Sequence, residues 1–164
     1  MIAPDVRMEE ICLQLESVIG KMEIQSPLFD FNFTEYYLSE MGPDLKKVFM
    51  SFSELTGPER LAGMKIMTNE LEQSWMRAGK RRVNMDPGYV TSAKLVLATT
   101  KDFAHRVAIG GGIYGDVQLQ FRHGKWRTNA WTFPDYRTPL SKTFFASVRD
   151  HYNQQERQMR NAVS

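Results

Sequence analysis

Residues 81–121 read RRVNMDPGYVTSAKLVLATTKDFAHRVAIGGGIYGDVQLQF, and the assignment of this stretch to strands or helices decides the fold. Its second half sets one apolar segment, His105 to Ile109, before another, Ile113 to Phe121, across Gly110-Gly111-Gly112. Three glycines between two apolar strands read as a hairpin turn, since glycine accepts the backbone angles a tight loop needs. A phosphate cradle would require a helix after the glycines, and an alternating strand follows instead. Ile113, Val117, Leu119 and Phe121 form its apolar face, and Tyr114, Asp116, Gln118 and Gln120 are expected to face the other way. Upstream, Arg82 to Asp86 reads as a strand and Asp86-Pro87-Gly88-Tyr89 as a type II turn, with Gly88 supplying the positive φ. Lys94 to Thr100 (KLVLATT) is continuously apolar and fits a buried strand or a short buried helix. A helix starting at Thr91 or Ser92 is the favoured reading.

Working outward, Met8, Ile11, Cys12, Leu15, Val18, Ile19 and Met22 recur at helical spacing, with Asp5 as the expected N-cap and Gly20 near the end. Phe29, Phe31 and Phe33 alternate with polar residues and predict a half-buried strand, answered by a returning strand at Leu45 to Phe52. Thr56-Gly57-Pro58-Glu59 opens a helix with Leu61, Met64, Thr68, Leu71 and Trp75 as its buried stripe and Lys65, Asn69 and Glu72 on a flanking face. Trp126 to Phe133 predicts another strand and Pro134 to Arg137 a turn. A C-terminal helix follows from Thr138-Pro139. The expected class is α+β: one domain over residues 1–164, with a mainly antiparallel sheet, helices on one side, and a ferredoxin-like order lacking its first strand.

The chain has 164 residues, 42% of them hydrophobic and 24% charged, which matches an ordinary soluble domain able to bury its own core. Its formal net charge of +2 is too small to argue for nucleic acid. Cys12 is the single cysteine, so no intrachain disulfide exists and a reducing cytoplasm is the simplest compartment. No signal peptide or run of 18 apolar residues is visible, which argues against a membrane.

Ionisable and amide residues recur inside the apolar segments of the central stretch, and burying them costs free energy unless they are paired. Asn84 and Asp86 alternate on one strand and are candidate ligand-binding groups; Asp86 could equally cap the turn. Lys101, Asp102, His105 and Arg106 are the densest ionisable cluster. His105 with Asp102 is the candidate acid–base pair, and Lys94, Lys101 and Arg106 are candidate holders of an anion. The plainer alternative is a helix terminus carrying surface charges. Asp86, Asp102, His105 and Asp116 could together form a metal site, but no H-x-x-x-H, C-x-x-C or H-E-x-x-H spacing occurs, so no metal set is assigned and no cofactor can be named.

FNFTEYYLSEMG at 31–42, the helix carrying Lys65 and Thr68-Asn69-Glu70-Leu71-Glu72, RRVNMDPGYV, KLVLATTKDFAHR, GIYGDVQLQF and WTFPDYR together resemble a bacterial family known as domain of unknown function 4416. The resemblance spans about Ser26 to Arg137. It implies no activity. Members have been labelled GTP-binding, but this chain has no G-x-x-x-x-G-K-[ST] motif and no Lys after the glycine run. The family pattern includes an apolar strand before the first helix, whereas this chain starts almost at the helix, so either the strand has been lost or the start has been placed late; it also has a bulkier residue and Glu where this chain has Gly115 and Asp116.

Two functional classes stay open. One is a small enzyme or ligand-binding protein for a small anionic or phosphorylated molecule, which requires the candidate residues to converge. The other is a noncatalytic interaction module that forms a homodimer through a sheet edge. RNA binding through Tyr36, Tyr37, Trp126 and Trp131 is a weaker third reading.

Overall fold

A computed structural model describes residues 1–163 of the chain. Its contacts gather into two units: Met1–Thr56 with Gly63–Asp86, and Gly57–Ala62 with the chain from Pro87 onward.

In the first unit, α1 runs Met8–Ile19 and buries Ile11 and Leu15. Gly20 ends it with φ 114°, and its N–H meets Glu16 O at 3.2 Å. Met22, expected on the helix, therefore opens β1 (Met22–Gln25). Asp5 is no cap; its carboxylate pairs with Arg77 at 2.8 Å and with Arg82. Cys12 lies partly buried on α1, and burial, then Glu16 and Glu9, push its thiol pKa up. The expected strands at 29–34 and 45–52 are shorter and broken. They give β2 (Phe29–Asp30), β3 (Lys46–Lys47) and β4 (Met50–Phe52), with β2 on β3 and β1 on β4, both antiparallel. Phe31 leaves β2 to pack against Phe33 and Tyr37, before the four-residue α2 (Leu38–Met41). Ile2, Val6, Ile11, Leu15, Met41, Leu45, Val83 and Met85 make this unit's core.

The helix predicted from Thr56 begins as a 3-10 turn at Pro58–Arg60 and continues as α3 (Leu61–Ser74). Its stripe is shifted from expectation. Lys65 and Glu72, assigned to a flanking face, are buried, while Leu71 and Trp75 are only partly so. The strand predicted at Arg82–Asp86 reduces to a single bridge between Val83 and Ile2, with Asn84 N–H on Met1 O at 2.9 Å. Side chains do there what a neighbouring strand would do. Glu72 accepts from Met85 N–H at 2.6 Å, and Lys65 donates to Met85 O at 2.6 Å.

The second unit is built on an antiparallel sheet of β5 (Gly88–Val90), β6 (Lys94–Thr99), β7 (Val107–Gly110), β8 (Ile113–Arg122) and β9 (Lys125–Thr128). The strand order is β5-β6-β8-β7, and β9 also pairs with β8. The predicted hairpin over Gly110–Gly112 is present as β7–β8, with all three glycines at positive φ. KLVLAT is a strand, not the helix the sequence favoured. Leu95, Val96, Leu97 and Ala98 are all buried because β6 is interior to the sheet and covered on both faces.

Gly88 opens β5 rather than a type II turn. A Cβ there would lie 2.5 Å from Val96 O and 2.6 Å from Leu97 Cδ2, so glycine is needed for close strand approach, not for turn geometry. Asp116 and Gln118, expected on a polar face, are 1% and 0% exposed. Beyond β9 the predicted strand stops, a 3-10 turn spans Pro134–Arg137, and α4 (Pro139–Val163) packs Phe144 and Phe145 inward, with Tyr136 stacked on Phe145.

The class is α+β with antiparallel sheets. The ferredoxin-like order is not seen among the described residues, where the larger sheet comes wholly from 88–128. No described helix is long and apolar enough to cross a membrane.

Candidate functional site

The register of the β7–β8 hairpin pairs Val107 with Gly115, which sets Arg106 and Asp116 opposite each other just beyond. Arg106 Nε donates to Asp116 Oδ2 at 2.8 Å, with both side chains almost fully buried (3% and 1% exposed). Arg106 Nη1 also donates to Lys101 O at 3.0 Å, and its guanidinium lies 4.4 Å from the Phe103 ring centroid. This fixes the guanidinium on three sides. A buried pair of this kind is held by the extra hydrogen bonds that satisfy it.

His105 Nε2 stands 3.4 Å from the same Asp116 Oδ2, and its ring stacks on Trp131 at 4.9 Å and 17°. Trp131 is held in turn by its indole N–H on Val117 O at 3.0 Å. The segment around it is strapped to β8. Asn129 Nδ2 donates to Val117 O at 2.7 Å, Thr132 Oγ1 to Gln118 O at 2.5 Å, and Phe133 N–H to Gln118 Oε1 at 2.9 Å. Arg137 closes the loop from inside by donating to Thr132 O and Ala130 O. These contacts account for the Thr between the first two aromatics of WTFPDYR and for the Arg at its end. Asp116 Oδ1 and Gln118 Nε2 are buried without a hydrogen-bond partner among the described residues.

The first unit carries a different network. Arg81 makes paired bonds to Glu40 at 2.6 and 2.7 Å, and its Nη1 reaches Glu72 Oε2 and Asn84 Oδ1, each at 3.1 Å. Glu40 and then Glu72 hold its guanidinium more firmly protonated than usual, against the opposing effect of burial. Asn84 Nδ2 donates to Asp86 Oδ2 at 2.8 Å, and Lys65 Nζ to Asp86 Oδ1 at 3.1 Å. Burial raises the Asp86 pKa, but the Lys65 and Lys47 charges and the Lys65 hydrogen bond hold it below its ordinary value. Within this ring the charges answer one another, and its bonds to Met85 pin backbone. A shallow cavity of about 370 Å³ on this unit is lined by Glu10, Gln14, Ser74, Trp75 and Arg77, apart from the ring residues.

The candidate residues are thus divided between two units. Asn84 and Asp86 belong to the charged ring of the first. In the second, His105 and Arg106 meet at Asp116, and the Lys101 carbonyl, not its ammonium, is what Arg106 contacts. Asp102 is exposed in the segment before them, and the carboxylate facing His105 is Asp116. Lys94 begins β6, five residues and roughly 17 Å of strand from Thr99, which lies beside Arg106. Sequence reasoning offered Asp116 only as a metal ligand and Trp131 only as a base-stacking residue, and missed Gln118. The Arg106–Asp116 pair could have been found by counting outward across the glycine hairpin. No group of three or more His, Cys, Asp or Glu able to hold a metal occurs among the described residues.

No curated protein and no solved structure matches the chain. One family model does, that of a domain of unknown function (DUF4416), over residues 2–152. The match takes in both the charged ring around Glu72 and the Arg106–Asp116 pair, and the chain belongs to this family of unknown function.

Proposed function

We propose that the second unit carries a small-molecule site centred on Asp116, with His105 as its proton-handling group and Trp131 as an apolar wall. The observation behind this reading is the buried Asp116 carboxylate, which has one oxygen held by Arg106 and the other without a partner among the described residues. Buried polar atoms are nearly always paired, and exceptions concentrate where a ligand or reaction uses them. Phe103 and Trp131, at 54% and 38% exposed, leave apolar surface beside His105 for a ligand to cover. Arg106 acts as the internal partner of Asp116, so any anionic part of the ligand would fall to Lys101 at the exposed rim.

A thermal-shift screen of phosphorylated and neutral polar metabolites tests this. A ligand at one hundred times its dissociation constant raises apparent stability by about 2.7 kcal/mol. The shift should vanish in both His105→Ala and Asp116→Asn proteins. A shift that survives both variants places the ligand elsewhere and ends the reading.

A second reading, self-association, has one specific observation in its favour. β7 ends the sheet order and carries no charge, with Val107 70% exposed. Uncharged edge strands are templates for pairing. Sedimentation would show a dimer that Val107→Lys dissociates; a monomer at high concentration excludes it.

A further inference from the structure

Glu10 and Gln14, about one turn apart on α1, line the cavity of the first unit together with Ser74, Trp75 and Arg77, where the chain leaves α3. At about 370 Å³ its volume falls within the range of small-molecule sites, roughly 300–1,000 Å³. A directed chain of hydrogen bonds holds its lining. The Trp75 indole N–H donates to Gln14 Oε1 at 2.6 Å, Gln14 Nε2 donates to Ser74 Oγ at 3.3 Å, and Ser74 Oγ donates to Leu71 O at 2.7 Å. The indole donor is thus spent, and what Trp75 has left to offer a ligand is its ring.

The charges of the lining residues are not all matched. Glu10 pairs with Arg7. Arg77 Nη1 donates to Asp5 at 2.8 Å, but the same carboxylate also takes Arg82 Nε at 3.0 Å, so one anion serves two guanidinium groups. Among the described residues only Nη1 of the Arg77 side chain is engaged, which leaves donors for a second carboxylate. The Arg77 backbone is fixed by a tight turn: Arg77 and Lys80 exchange both N–H···O bonds at 2.9 Å, around Ala78 and Gly79 at φ 48° and 73°.

We propose that this cavity binds a small carboxylic acid with a flat apolar body, its carboxylate on Arg77 and its body against the Trp75 ring. The proposal is independent of the Asp116 site in the other unit. An ammonium would add to the surplus of cations and compete with Arg7 for Glu10. A neutral ring would leave the Arg77 donors unused.

The test is titration of the ¹⁵N-labelled full chain with benzoate, acetate, benzyl alcohol and benzylammonium in turn, reading the Trp75 and Trp131 indole signals. Trp75→Phe and Trp131→Phe identify them. Benzoate is expected to move the Trp75 signal saturably and leave Trp131 in place. Acetate and benzyl alcohol should need at least tenfold higher concentrations, benzylammonium should have no effect, and Arg77→Gln should weaken the benzoate response at least tenfold. The inference is overturned if benzyl alcohol or benzylammonium matches benzoate, if the benzoate response survives Arg77→Gln, or if no probe moves the Trp75 signal. If benzoate moves Trp131 alone, the acid sits at the Asp116 site, and this inference falls while that reading stands. The wild-type titration decides the ligand class even if a variant fails to fold.

Discussion

Arg106 is the residue on which the second unit's charge balance turns. Removing it leaves Asp116, 1% exposed, as an uncompensated buried charge, and such losses run to about 3–5 kcal/mol. Arg106→Ala should therefore lower the urea midpoint strongly. Arg106→Lys should fall between it and the wild type, because an ammonium keeps the charge but cannot reach Asp116, Lys101 O and the Phe103 ring together. Equal midpoints for Arg106→Ala and the wild type would refute this account. His105 and Arg106 were legible in the sequence because ionisable residues stood out in an apolar run. Asp116 stood out as an ionisable residue too, but strict alternation along β8 assigns it to a polar face, and its burial against Arg106 and His105 is not visible along the strand itself.

Among the elements, β6 and the segment 82–86 show how local pattern misleads. Continuous apolar residues carry no period, so KLVLAT could not be told from a helix until its partners β5 and β8 were known. Segment 82–86 alternates like a strand, yet its backbone is satisfied by Glu72 and Lys65, which sit on a helix and signal nothing about pairing in sequence. The glycine hairpin and α4 were readable because their signals are local: three glycines at one bend, and a proline at a helix start. Gly88 had the right residue type but the wrong reason. Gly88→Ala should destabilise by about 1–3 kcal/mol, since the new methyl meets backbone that must move. A Gly88→Ala protein as stable as the wild type would refute the close-approach account.

For the whole molecule, the two units have separate cores and separate ionic networks, and this is what the sequence left hidden. The order of helical and alternating segments pointed to the α+β class; the partition of contacts depends on tertiary pairing that no window of sequence contains. Asp86 gives the first unit a contribution to acid stability. Asp86 is depressed below about 3.8 in the folded chain, so its contribution is fully present above that value and is lost as pH falls through the lower native one. The stability gap between wild type and Asp86→Asn should be flat above about pH 5 and close below pH 4. A gap that widens on acidification would contradict the Lys65 pairing.

The thiol on the first helix has a practical corollary. With its pKa pushed up by burial and two glutamates, Cys12 holds less thiolate at neutral pH than an open cysteine does, and alkylating reagents attack thiolate. A fluorophore maleimide should thus react first with a cysteine newly installed on the outer side of the last helix, such as Ser147→Cys, so dye attachment could follow ligand capture without removing the native sulfur.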